Sequence, residues 1–155
     1  MKVYVANVST DAGLTIRPYN GNARVDNPKE IYNPGDPKTE QRTNQDYFKN
    51  RRSQKYWELR DRFQAVYNAI KKGIYTDPDK LISISSKLED LDVLKSELVK
   101  VKRVKGNNDI IQIQSKKDAI KEGIKSPNMA DALKMCFANP PLATKPMTLN
   151  FTSEF

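Results

Sequence analysis

Histidine is absent from these 155 residues, and cysteine and tryptophan occur once each. Each absence removes a class of chemistry. Without histidine there is no Ser-His-Asp triad and no Cys-His nucleophile, and a single thiol cannot build a zinc site from the usual nitrogen and sulfur ligands. Any metal chemistry must use carboxylates, and therefore hard ions such as Mg²⁺ or Mn²⁺. No apolar run approaches the roughly 20 residues that cross a bilayer. The amino end, MKVYVANVSTDAG, lacks the apolar centre of a signal peptide. An intracellular protein with no membrane partner is the resulting expectation. The lone Cys136, set in a helical apolar pattern, fits a reducing compartment and a packing role.

What is present is positive charge: 27 lysines and arginines against 19 acids, a net charge of +8. That excess fits a polyanion partner, nucleic acid before an anionic membrane, and fits a solvated basic surface about as well. The length suits one domain with a single core.

Along the chain, residues 2 to 8, KVYVANV, alternate and read as an opening strand. Residues 15 to 45 carry four prolines, two glycines and no period, which predicts an irregular loop. Tyr56, Leu59, Phe63, Val66 and Ile70 then recur at steps of three and four, with Gly73 at a C-cap position, so a long amphipathic helix spans 51 to 72. Residues 78 to 95 predict one or two short helices with Leu81, Ile82, Leu88, Leu91 and Leu94 inward. ELVKVKRVK (97 to 105) and DIIQIQS (109 to 115) alternate around Gly106-Asn107-Asn108, which predicts a β-hairpin. A short helix over 117 to 122 follows, and Ser126 and Pro127 read as the cap and first residue of a last helix. Residues 139 to 155, with three prolines, read as an extended tail after a domain covering 1 to 138. The order of elements predicts a mixed α/β (α+β) fold.

Within the last helix Asp131 is flanked by Met129, Ala130, Ala132, Leu133, Cys136 and Phe137. A carboxylate there either points to solvent beside Lys134 or Lys125, or faces inward and needs a partner such as a metal ion. Asp11, in Ser-Thr-Asp-Ala-Gly, reads as a turn former. Tyr47, Tyr56 and Trp57 read as packing residues.

Three stretches in this order resemble the nuclease domain of phage terminase large subunits, the DNA-packaging motors. They are "VYVANVS" (3 to 9), "DYFKNRRSQKYWELRDRF" (46 to 63) and "IQIQSKKDAIKEGIKSPNMADALKM" (111 to 135). The resemblance implies a partial ribonuclease H-like fold with one opening strand, a long helix, a hairpin and a C-terminal helix. It implies an endonuclease that hydrolyses double-stranded DNA with two metal ions, Mg²⁺ or Mn²⁺, held about 4 Å apart by several carboxylates. Asp131 matches the last of those acids and is the implied catalytic and metal-binding residue. The family's acidic position near Pro127 is here Asn128, a weaker ligand, and its earlier acids belong to strands that precede the matched portion. The expectation is therefore an incomplete centre, inactive alone, with weak or absent metal binding unless the missing amino-terminal half supplies the other acids.

Lys116, Arg51, Arg52, Lys100, Lys102 and Arg103 are the candidate DNA-binding residues. Against each stands a plainer reading: a solvated lysine for Lys116, salt bridges to the loop for Arg51 and Arg52, and an aggregation-resistant cationic edge for the hairpin. Other expected partners are the remaining terminase and portal components, or a second copy of the chain, because the long helix has little sheet to cover it. The expected location is the cytoplasm of an infected or prophage-bearing cell. The competing reading is a basic, non-enzymatic DNA-binding or phage assembly accessory protein whose acids are structural.

Overall fold

The computed structural model describes residues 19–32, 41–105 and 109–138. The expected opening strand, Asp11, the hairpin turn and the tail lie outside these residues. Those from 21 to 138 belong to one unit. Its centre is a helix whose ends are written in the sequence. Asn50 supplies a side-chain oxygen that accepts the Ser53 amide at 3.0 Å, so helix α2 starts at Arg51. Gly73 closes it with φ at 63°, a left-handed cap that a Cβ would disfavour, and α2 is Arg51–Lys72 as its periodicity predicts. A single turn, α1 (Asn44–Tyr47), precedes it.

Only the first half of the apolar stripe on α2 is submerged. Tyr56 and Leu59 are buried, whereas Phe63 is 36% and Ile70 is 72% exposed. Strand β2 (Ile111–Ile113) lies against the buried part and links two clusters. Ile111 joins Val25, Tyr32 and Phe48, and Ile113 joins Tyr56 and Ala130. Val25 and Tyr32 come from the stretch that reads as an irregular loop, so part of that stretch is core. The loop is held through Asp26, whose carboxylate pairs with Arg51 at 2.7 Å and Lys55 at 3.2 Å.

The hairpin is shorter than its alternation predicts. Strands β1 (Arg103–Lys105) and β2 pair antiparallel with Val104 opposite Gln112, while 97 to 100 belong to helix α3 (Leu91–Lys100). Leu91, Leu94 and Leu98 keep a helical step of three and four, and Leu94 is buried. That period overrides the valine and lysine alternation until Val101. Lys100 therefore sits at a helix end rather than on the hairpin. Residues 78 to 95 hold only a 3₁₀ turn (Pro78–Lys80) and the start of α3, and Leu88, expected inward, is 40% exposed.

Helix α4 (Lys116–Lys121) begins where Ser115 accepts the Asp118 amide at 3.1 Å. Helix α5 is Asn128–Cys136, one residue later than expected: Pro127 has ψ at 70° and is the cap residue, not the first helical one. It offers no side-chain cap. Instead Glu97 of α3 accepts the Ala130 amide at 2.9 Å, placing a carboxylate at the helix start where the macrodipole favours it. Cys136 is exposed, so the packing role expected of it does not hold.

This burial pattern separates two substitutions on one stripe. Leu59→Ala should cost about 2–5 kcal/mol and Ile70→Ala within about 0.5 kcal/mol, measured as urea-unfolding free energies at pH 7. Equal costs would mean that the distal half of α2 is covered.

Candidate functional site

Asp131 stands in the first turn of α5 and faces inward, 8% exposed. Its carboxylate is surrounded by donors. Lys134, one turn on, reaches Oδ1 at 2.7 Å, and the Tyr56 hydroxyl donates to the same oxygen at 2.7 Å. Lys116 at the start of α4 reaches Oδ2 at 2.6 Å. Of the two lysines, Lys134 is buried and Lys116 about half exposed. The cluster thus ties α2, α4 and α5 together through one anion.

Electrostatics follow from that geometry. Burial pushes the Asp131 carboxyl up, but the hydrogen bonds from Lys116, Lys134 and Tyr56 and the Lys134 charge outweigh it and hold the group down at about 2. Burial pulls the Lys134 ammonium below its ordinary range, and the pairing with Asp131 only partly opposes this. The Tyr56 phenol is pushed up by burial and then by its bond to the Asp131 anion. Its ring also receives two cations, the Lys134 ammonium at 4.6 Å and the Arg52 guanidinium at 5.5 Å from the centroid. An ionised aspartate beside a neutral phenol is the resulting state at neutral pH.

The described residues do not by themselves fit a divalent ion. Hard cations require several oxygen ligands, and among the described residues no group of three potential metal ligands comes together. Asp131 is met by two ammonium groups and a phenol where a metal centre would bring further carboxylates. The described residues thus contain a charged anchor, to which acids from elsewhere would have to be added.

The candidate DNA contacts separate into two sets. Arg51 is occupied by Asp26 at 2.7 Å and Arg103 lies over the Trp57 ring at 5.5 Å, which leaves both outside the Asp131 neighbourhood. Arg52, Lys100, Lys102 and Lys116 instead line one recess, of about 50 Å³, together with Lys125. Arg52 donates from one terminal nitrogen to the Gln114 carbonyl at 2.6 Å, and Lys102 pairs with Glu122 at 2.8 Å. Sequence reasoning misses Tyr56, which reads as packing, because its partner is 75 positions away. Lys134 had a signal, the step of three from Asp131, but reads as a solvent neighbour. Among the described residues no helix is long and apolar enough to cross a membrane.

No protein-family model matches the chain, and no curated protein does. Solved structures do. The nuclease domain of the large terminase subunit gp2 of bacterial virus Sf6 matches at 34% identity and TM-score 0.61, covering 74% of this chain and 52% of its own. A lysine-to-alanine variant of the same subunit, solved with calcium, matches at 33% identity and TM-score 0.66, covering 79% and 52%. The variant domain solved with manganese matches at 35% identity and TM-score 0.59, covering 74% and 52%. This chain therefore spans about half the length of the structures it matches. The mixed α/β, ribonuclease H-like reading of the fold is borne out by these neighbours and by the elements described above.

The cluster has a pH signature. Asp131 ionises at about 2 in the folded chain against 3.8 ordinarily, so its contribution is complete above about pH 4 and is lost as pH falls toward 2. The loss should be about 2 kcal/mol, read from urea midpoints between pH 5 and 2.5. At pH 7, Asp131→Ala should cost about 3–5 kcal/mol because it strands the buried Lys134 charge. Adding Lys134→Met should recover most of that. A double variant as unstable as Asp131→Ala alone would remove the pair from this account.

Proposed function

Likeness in both sequence and fold makes this chain a relative of the phage terminase large-subunit nuclease domain, spanning about half of it, and from that premise we propose that it contributes to cutting double-stranded DNA during genome packaging. The observation that carries the reading is Asp131: a buried, ionised carboxylate, in a chain about a third identical to a nuclease domain that has been solved with manganese and with calcium. A carboxylate kept charged at all working pH values is what a Mg²⁺- or Mn²⁺-dependent centre asks of its ligands. In this proposal Asp131 is one ligand of a two-metal centre, and the other acids come from outside the described residues. A divalent ion, when bound, supplies the activated water and the charge that steadies the leaving oxygen.

The chain's own residues do three things in this reading. Tyr56 and the buried Lys134 fix the Asp131 oxygens. Lys116 balances the carboxylate from its exposed side, and the cations of the neighbouring recess draw in DNA. The expected partners are double-stranded DNA and the other components of the packaging machine, in the cytoplasm of an infected cell.

A second reading has its own observation. The absence of a three-ligand group among the described residues favours a non-enzymatic DNA-binding or assembly protein in which the Asp131 cluster is structural. Weak metal binding by the chain alone is expected on both readings, and cleavage in a completed centre divides them. The chain alone should bind Mn²⁺ more weakly than about 1 mM by calorimetry, because one carboxylate is too few ligands. Mixed with the amino-terminal half of a related nuclease domain, it should linearise supercoiled plasmid in Mn²⁺, with Asp131→Ala lowering the rate by at least about 100-fold, of the order lost with a key transition-state contact. Cleavage that survives Asp131→Ala would take Asp131 out of the chemistry, and no cleavage in any mixture would favour the structural reading.

A further inference from the structure

The recess beside Asp131 is small and unevenly compensated. Val101, Ile113, Ile124 and Pro127 form apolar parts of its wall, against which five cations are placed. A low-dielectric wall strengthens the field of each. Lys102 is neutralised by Glu122 and Lys116 by Asp131. Glu97, also on the lining, gives one carboxylate oxygen to the amide of Ala130. Five cations therefore face three carboxylates.

The surplus falls on particular groups. Lys100 and Lys125 are exposed and have no ion pair or hydrogen bond among the described residues. Arg52 is more telling, because it lines the recess, spends one terminal nitrogen on the Gln114 carbonyl at 2.6 Å, and has no carboxylate partner among the described residues. The volume of about 50 Å³ holds about four waters at 10–15 Å³ each. That is the scale of a single tetrahedral oxyanion, too small for a nucleobase or a peptide side chain with its backbone.

Resting on the reading of the chain as part of a DNA nuclease, we infer that this recess is the seat of one backbone phosphate of the DNA, held by Arg52, Lys100 and Lys125. The seat assigns a role to Lys125, which the sequence offers only as a neighbour of Asp131. It leaves out Arg51 and Arg103, which do not line the recess. Because Lys116 lines the recess and also touches Asp131, a phosphate seated there lies one side chain from the carboxylate and sets the register of the duplex over it.

The test reads binding without cleavage: anisotropy of a fluorescent 20-base-pair duplex on the chain in EDTA, titrated from low to physiological salt. Two double variants remove equal charge from exposed positions. Lys100→Gln with Lys125→Gln removes two of the five cations of the recess, and Lys71→Gln with Lys72→Gln alters the far end of α2, about 30 Å from Arg52 at 1.5 Å per residue. The recess pair should weaken binding about tenfold and reduce the slope of log K on log salt by about 0.9, one phosphate contact. The distal pair, which lines no part of the recess, should change affinity less than about twofold. Equal losses in both pairs, or none in the recess pair, would overturn the seat and leave the nuclease reading untouched. Recess-dependent binding from a protein that never cleaves would uphold the seat and defeat the nuclease reading. Inorganic phosphate that displaces the duplex at sub-millimolar concentration would make this a free-phosphate site and overturn the assignment to DNA.

Discussion

One carboxylate, charged where little water reaches it, organises this fold. An ionised aspartate in a buried position is costly unless nearly every lone pair is answered. Here three helices send a donor each: Tyr56 from α2, Lys116 from α4, Lys134 from the same helix as the acid. Apolar contacts between α2, β2 and α5 are few, resting on Tyr56, Ile113 and Ala130 with Leu98 and Val101 at their edge. Such contacts are tolerant of small rotations. The anion is not, because each donor must stay within hydrogen-bond reach, and so it fixes how α5 lies on α2. The cost falls on Lys134, whose ammonium is disfavoured by the same burial. Removing the acid alone is therefore worse than never having had the pair.

How much of this the sequence carries depends on the range of each interaction. Local signals are legible. The Gly73 stop and the three-and-four spacing of α2 act within a few residues, and the helix has the predicted bounds. Where two local signals compete, the outcome turns on packing. The valine and lysine alternation of 97 to 105 is a good strand pattern, but Leu94 and Leu98 belong to a helical face that packs toward α5, and that burial decides. The start of α5 fails for a related reason. Ser126 offers a local cap, yet its hydroxyl donates to the Asn128 side chain at 2.9 Å, and Glu97 from another helix takes the Ala130 amide.

At the site, Asp131 stands out because it is acidic in an apolar helix, and of the two orientations the sequence leaves open it takes the inward one. Its partners do not stand out. A tyrosine 75 residues upstream is chemically silent until the fold is known. The cations illustrate the same limit. Arg51 and Arg52 are adjacent and identical, but one step around a helix sends the first to Asp26 in the loop and the second to the recess. No composition argument could have separated them.

Between those two arginine partners and the Asp131 anchor sits Ser53, almost wholly buried. Its hydroxyl donates to Asn50 at 2.9 Å and accepts the Ile113 amide at 3.1 Å, so one oxygen joins the helix cap to the strand. Arg52, Ser53 and Tyr56 occupy little more than a single turn. The recess, the strand contact and the anchor therefore turn on a common hinge pin, and none can be retuned by moving the backbone without disturbing the other two. For anyone redesigning this protein, the proximal turn of α2 behaves as one indivisible part, while exposed positions of the distal turns such as Tyr67 and Ile70 are where sequence and charge can be varied.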